Sequence, residues 1–162
     1  MNKKLNDFIE WAENSGWSVK KKESSFLNFN KEIKERYSSI PYEYQELLKV
    51  VEELVSPDEK TWFICESDYN SESGSAFKWN EFEMISLEAA EGDIEWQQEI
   101  ISWWDKYLPI VMSVKDGYSF FAIDLYNEKG AIVEGREPEF EETKKVANDL
   151  NAFFDLMMNN KY

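Results

Sequence analysis

The fold is decided by residues 118–133, which have the sequence YSFFAIDLYNEKGAIV. Side chains of an extended strand point alternately to opposite faces, so Phe120 and Phe121 are predicted to face opposite sides of a sheet. Gly130 closes the turn that follows, because glycine adopts positive φ without steric cost. We therefore predict a β-hairpin whose first strand spans residues 118–126 and whose second strand follows Gly130.

Helices and further strands are predicted on both sides of this hairpin. Apolar residues at helical spacing predict helices over residues 94–108, where Pro109 ends the pattern, and over residues 141–158. Short runs rich in β-branched and aromatic residues predict strands at 110–114 and 61–65.

The N-terminal third is predicted to be mainly helical. A short amphipathic helix spans residues 4–15, and one or two helical turns span residues 30–37. The clearest helix begins at Pro41, and its apolar stripe runs from Tyr44 to Val55. Less regular structure is predicted elsewhere: extended chain or a hairpin over 17–30, a polar loop over 67–75 and a short strand over 77–79.

Together these elements predict one α+β domain over residues 1–162. In it a largely antiparallel sheet is covered by helices on one side. A chain of 162 residues is long enough for one sizeable core, and neither an internal repeat nor a Pro/Gly-rich linker divides it.

Composition argues against most catalytic chemistries. The chain has no histidine, so a histidine base, a Ser-His-Asp triad and a histidine metal ligand are excluded. Its one cysteine, Cys65, is predicted to be a buried apolar side chain. Glycine-rich phosphate motifs are absent, and among 33 acidic residues no carboxylate pair stands out as a hydrolase site. We expect a protein that is not an enzyme and that uses neither a cofactor nor a metal.

The opening residues indicate a cytoplasmic protein. Asp7, Glu10 and Glu13 lie where a signal peptide needs an apolar run. No stretch approaches the roughly 18 consecutive apolar residues of a membrane-spanning helix.

The net charge of −15 is unevenly distributed along the chain. Residues 1–49 are nearly neutral, whereas residues 79–105 contain eight acids and neither lysine nor arginine. Such a surface repels nucleic acid and anionic membranes and attracts basic proteins. We therefore expect a basic protein as the partner, although the same carboxylates also fit a purely solubilising role.

The candidate binding residues come from three acidic segments. Trp96 is included because tryptophan is favoured at interface hot spots, with core packing as the alternative for its side chain. The candidates are Glu66, Asp68, Glu72, Glu88, Glu91, Asp93, Glu95, Trp96, Glu99, Glu134, Glu137 and Glu139.

Three segments resemble the SUKH superfamily, which includes fungal cell-wall assembly regulators and bacterial toxin immunity proteins. Residues 40–48, IPYEYQELL, are similar to the Pro-initiated helix of that family. Residues 108–130 resemble its central β-meander, and residues 146–154, VANDLNAFF, its final helix.

This resemblance implies a noncatalytic α+β binding domain of the SUKH type. In bacteria it implies an immunity protein whose partner is a cognate toxin protein, with basic nuclease domains among the toxins of such systems. The alternative is a noncatalytic intracellular scaffold or regulatory adaptor of the same fold. The sequence leaves the toxin and the oligomeric state open.

Overall fold

The computed structural model of the chain describes residues 2–161. Within them seven strands form a single sheet in which spatial order follows chain order and every neighbouring pair is antiparallel. The strands are β1 Ser18–Lys21, β2 Val51–Val55, β3 Thr61–Phe63, β4 Tyr107–Ser113, β5 Ser119–Asp124, β6 Ile132–Arg136 and β7 Lys144–Ala147. The helices are α1 Lys3–Asn14, α2 Lys31–Arg36, α3 Tyr42–Val50, α4 Glu66–Tyr69, α5 Glu81–Ala89, α6 Ile94–Lys106 and α7 Leu150–Met158. The predicted α+β class with a largely antiparallel sheet is confirmed.

Helices cover both faces of the sheet, so the prediction of one covered side was wrong. On the face that contains Phe121, the ring of Phe153 from α7 packs 4.8 Å away, centroid to centroid. On the opposite face, Trp104 of α6 packs 4.9 Å from Phe120. Because Phe120 and Phe121 are consecutive in β5, one strand anchors both layers. We call the Phe120 side the front face and the Phe121 side the back face.

The helix predicted from Pro41 to Val55 ends at Val50, and β2 begins at the next residue. The apolar stripe misled the prediction because β2 contains a register shift. Lys20 pairs with Glu53 whereas Lys21 pairs with Val51, which leaves one extra residue on β2. Such a bulge places the buried Val51 and Leu54 three residues apart, and this spacing imitates a helix.

Two other helix predictions extended into strands. The helix expected over 94–108 ends at Lys106, and β4 starts directly with Tyr107. Pro109 lies inside β4, at a register shift where a ladder hydrogen bond is not required. The helix expected over 141–158 is replaced by β7 and by α7, whose first turn is capped by Asp149.

Several shorter elements also differ from expectation. Helix α5 was not predicted, α4 lies partly inside the expected loop 67–75, and residues 77–79 do not form a strand. β1 pairs with β2 rather than with residues 26–30. Helix α1, helix α2 and the β5–β6 hairpin lie where the sequence predicted them.

Candidate functional site

Helices α5 and α6 form a hairpin that is fixed at one end by an arginine of α2. The Arg36 guanidinium donates from both Nη atoms to the Glu83 carboxylate, at 2.8 and 2.7 Å, and from Nε to Asp105 Oδ1 at 2.7 Å. Glu83 is only 4% exposed. We call Arg36, Glu83 and Asp105 the hairpin base; in it one cation joins the start of α5 to the end of α6.

Burial and the neighbouring negative charge shift the pKa of Arg36 in opposite directions. Burial disfavours its charged form, but the hydrogen bonds and the negative charge of Glu83 outweigh that cost and raise the Arg36 pKa above its ordinary value. Its guanidinium also lies 5.3 Å from the centre of the Tyr37 ring and 5.9 Å from that of Trp79. The Arg36 charge is therefore neutralised by two carboxylates, while its guanidinium lies beside two aromatic rings.

Next to the base, a carboxylate forms a second link between the two helices. Glu141 Oε2 accepts hydrogen bonds from Ser86 Oγ of α5 and from Trp104 Nε1 of α6, both at 2.8 Å. The Tyr37 hydroxyl donates to the Trp104 carbonyl oxygen at 2.9 Å. These bonds hold the hairpin in one position on the front face.

The other end of the hairpin, residues 88–99, has no such neutralisation, and we call it the hairpin tip. Gly92 has a φ of +86°, which allows the turn between the helices. Asp93 caps α6 by accepting a hydrogen bond from the Trp96 backbone N–H. Five tip carboxylates have no lysine or arginine nitrogen within 4.0 Å among residues 2–161: Glu88, Glu91, Asp93, Glu95 and Glu99.

Apolar side chains are exposed on the hairpin alongside these carboxylates. Of the seven large hydrophobic residues that are exposed within residues 2–161, four lie on α5 and α6. They are Met84 (47% exposed), Ile94 (72%), Trp96 (46%) and Ile101 (42%). Ile94 and Ile101 are seven residues apart and so share one side of α6. Trp96 lies on another side of α6, since residues two apart in a helix do not face each other.

The structure brings six of the predicted candidates together on the tip: Glu88, Glu91, Asp93, Glu95, Trp96 and Glu99. It also exposes Ile94 within the tip, and Met84 and Ile101 on the hairpin outside the tip, none of which the sequence singled out. Ile101 belongs to the apolar pattern that predicts a helix over residues 94–108. Ile94 and Ile101 lie at the edge of the helix face that contains the buried Ile100 and Trp104, so helical spacing alone did not separate them from the core.

The candidates around α4 have structural partners. Glu66 accepts hydrogen bonds from Lys22 Nζ and from the Asn28 backbone N–H, both at 2.6 Å. Asp68 accepts one from the Cys65 backbone N–H at 2.9 Å. Glu72 is exposed in the loop after the helix. Glu66 and Asp68 thus fix this region, and only Glu72 is free of such contacts among the described residues.

Of the candidates on and after β6, Glu134 is separated from the tip. Glu134 is 7% exposed, and it pairs with Lys144 at 3.3 Å and with Arg136 at 3.9 Å. It lies opposite Phe121 in the ladder and therefore on the back face. Glu137 and Glu139 are exposed after β6, where Glu137 Oε1 accepts from the Tyr118 backbone N–H. Glu134 consequently does not share a surface with the tip.

Cys65 is buried, and burial raises the pKa of its thiol well above the ordinary value. No group of three or more acidic or cysteine side chains within residues 2–161 is placed to hold a metal ion. Over the same residues, no helix has the length and apolar character needed to cross a bilayer.

Comparison with known proteins gave no relationship from which a function could be transferred. No family model matches the chain, and no curated protein or solved structure is significantly similar to it.

Proposed function

We propose that this protein binds a basic partner protein through the hairpin tip and acts in the cytoplasm as a SUKH-type immunity protein, neutralising a cognate toxin domain. One observation supports the binding step most directly. The tip combines exposed Ile94 and Trp96 with five carboxylates that have no cation partner among residues 2–161. A basic surface would neutralise the charges, while the apolar side chains would be desolvated on contact.

The two kinds of side chain have different roles in this proposal. Unpaired carboxylates attract a basic partner over a Debye length of about 8 Å at physiological salt, which speeds association. Aromatic and aliphatic side chains that become buried in the complex slow dissociation, because they must be exposed to water again when the partner leaves. The tip supplies both within one helix–turn–helix segment.

The hairpin base contributes indirectly by keeping the tip in one conformation. A surface that is ordered before binding loses less conformational entropy on association than a mobile one. Arg36 and Glu141 each join α5 to α6, so the tip is presented on a fixed support.

The step from a basic partner to a toxin domain rests on the resemblance of residues 40–48, 108–130 and 146–154 to the SUKH superfamily. A noncatalytic acidic protein fits that role, because it can occupy the positively charged substrate groove of a nuclease toxin. The partner that we propose is therefore the toxin domain encoded next to this protein.

The test compares two proteins from which equal charge has been removed. The tip variant carries E88Q, E91Q, D93N, E95Q and E99Q. The control variant carries E10Q, E23Q, E32Q, E43Q and D116N, at exposed positions outside the hairpin. Stopped-flow association with the toxin domain at low and physiological salt should be slowed about tenfold or more by the tip changes. Equal slowing by the control set would show that only net charge matters.

A second measurement addresses the apolar anchor. Trp96→Ala should raise the dissociation rate by about tenfold or more and leave the association rate nearly unchanged, as expected for a hot-spot side chain.

Co-expression in a host then separates immunity from a scaffold role. Rescue from the toxin by the native chain and failure by the tip variant support immunity, whereas binding without rescue supports an adaptor.

A further inference from the structure

A second acidic surface, concave and apart from the hairpin, lies on the front face of the sheet. It is a groove of about 630 Å³ between strands β2 and β3 and the chain that follows β3. We call it the β2–β3 groove. Its principal lining residues are Glu53, Glu59, Trp62, Asp68, Glu72 and Phe77.

The floor of the groove is aromatic because of the register of the strands. Met112 lies opposite both Trp62 and Phe120, so Trp62 shares the front face with Phe120. No helix is paired with Trp62 by a ring contact in residues 2–161; its ring neighbour is Phe77, 5.6 Å away between centroids. Phe77 in turn contacts Tyr118 at 5.7 Å. Trp62 and Phe77 remain only half-buried.

The walls of the groove carry five carboxylates and a single cation, Lys20. Lys20 is already paired with Glu52, at 3.6 Å. Glu53, Glu59 and Glu72 have no ion-pair partner within 4.0 Å in the described part of the chain. The groove therefore offers uncompensated negative charge above a half-buried indole.

We propose that the β2–β3 groove binds an arginine side chain presented by an extended segment of a partner protein. A guanidinium stacks on the face of a tryptophan and at the same time donates hydrogen bonds to carboxylates, so this ligand satisfies both features of the groove. The volume lies within the roughly 300–1,000 Å³ of ordinary ligand sites. A metal ion fits less well, since within residues 2–161 the carboxylates do not converge into a metal-binding group.

This site is independent of the hairpin tip in residues and in chemistry. The tip presents exposed carboxylates with Ile94 and Trp96, whereas the groove is concave and has the half-buried Trp62 and Phe77 as its floor. The hairpin that carries the tip also packs on the front face, through Trp104. We nevertheless expect the groove to bind a short arginine-containing peptide without any contribution from the tip.

The experiment titrates the full-length protein with three blocked peptides and follows tryptophan fluorescence and calorimetry. The peptides are Gly-Arg-Gly-Arg-Gly, its lysine analogue and its citrulline analogue, which has nearly the same shape as the arginine peptide without the charge. We expect the arginine peptide to bind most tightly, the lysine peptide about threefold more weakly and the citrulline peptide not detectably. Equal binding of the citrulline peptide would overturn the proposal.

Two variants locate the site. E53Q/E72Q removes two exposed carboxylates from the groove, and we expect it to weaken arginine-peptide binding about tenfold. The matched control E91Q/E95Q removes two carboxylates from the tip and should leave the affinity unchanged. Trp62→Leu should abolish the fluorescence response and weaken binding, with circular dichroism used to confirm the fold. Equal weakening by both double variants would mean nonspecific attraction and would contradict the groove, without bearing on toxin binding by the tip.

Discussion

The two ends of the α5–α6 hairpin contain the same type of side chain in opposite surroundings. At the base, Glu83 and Asp105 share the charge of Arg36. At the tip, five carboxylates are exposed, and none has a cation partner in the described structure. The base carboxylates therefore hold the fold together, whereas the tip carboxylates contribute little to it and remain available to a partner.

The difference is created by contacts between residues that are distant in the chain. Arg36 lies 47 residues before Glu83 and 69 before Asp105. In sequence, Glu83 and Glu91 belong to the same run of acids without lysine or arginine. Local composition identifies where the negative charge is concentrated, but the tertiary fold decides which charges are neutralised.

The largest effect is expected from removing the cation of the base. Arg36→Met leaves the Glu83 carboxylate buried without a partner, and breaking a buried pair in this way costs about 3–5 kcal/mol. We expect the free energy of unfolding, measured by urea denaturation, to fall by that amount.

The double variant R36M/E83L is the control for this change. Replacing both members of a buried ion pair with apolar side chains is often neutral, so the second substitution should restore most of the lost stability. Asp105 remains half-exposed and solvated in either variant. Failure of the second change to restore stability would show that Arg36 acts mainly through its contacts with Tyr37 and Trp79.

A smaller loss is expected from the carboxylate that joins the helices above the base. Glu141→Ala removes the acceptor of both Ser86 Oγ and Trp104 Nε1. Leaving a buried indole N–H unsatisfied costs about 1–3 kcal/mol. Urea denaturation measures the loss, and Glu141→Gln, which keeps one acceptor oxygen, should lose less. Equal losses in the two variants would contradict a role for these hydrogen bonds.

Tyr37→Phe should cost about 1 kcal/mol at pH 7, because the Trp104 carbonyl loses its donor. This difference should depend on pH. Burial raises the pKa of Tyr37 above its ordinary value of 10.0, so the unfolded chain releases this proton at a lower pH than the folded protein. The stabilisation by Tyr37 is therefore complete below pH 10.0 and declines as the pH rises above it.

The check is a pair of urea denaturations of native protein and Tyr37→Phe, at pH 8 and at about pH 10.5. Both proteins should lose stability at the higher pH, since burial also raises the pKa values of Tyr44 and Tyr69. The difference in free energy of unfolding between the native protein and Tyr37→Phe should be smaller at the higher pH. A constant difference would mean that Tyr37 does not ionise on unfolding.

Elements with strong local signals were predicted correctly from the sequence. The β5–β6 hairpin has a continuous, largely apolar strand followed by a glycine in its turn, and α1 has an apolar stripe followed by a stop at Gly16. The errors occurred where a helix passes directly into a strand, as at Val50 and Val51. There the apolar pattern continues across the junction, and a β-bulge gives the strand a helical spacing.

The candidate site was only partly accessible to sequence reasoning. The acids of the tip were identified because a long segment lacks lysine and arginine. The burial of Glu134 was not foreseen, because its partners Lys144 and Arg136 are provided by the pairing of β6 with β7 and by the strand end. The groove was missed for a similar reason, since Trp62 and Phe77 meet only in the folded chain.

The smallest effect on stability, and the most informative about the comparison, is expected from a triple variant of the tip, E91Q/D93N/E95Q. Asparagine caps a helix as well as aspartate, so the cap on α6 is retained. Loss of negative charge near the start of α6 removes a favourable interaction with the helix dipole, but relief of repulsion among the acids acts in the opposite direction. We expect the free energy of unfolding to change by less than about 0.5 kcal/mol, while association with a basic partner slows and becomes less dependent on salt. A stability loss larger than about 1 kcal/mol would show that the tip carboxylates also hold the fold, and the distinction between base and tip would no longer apply.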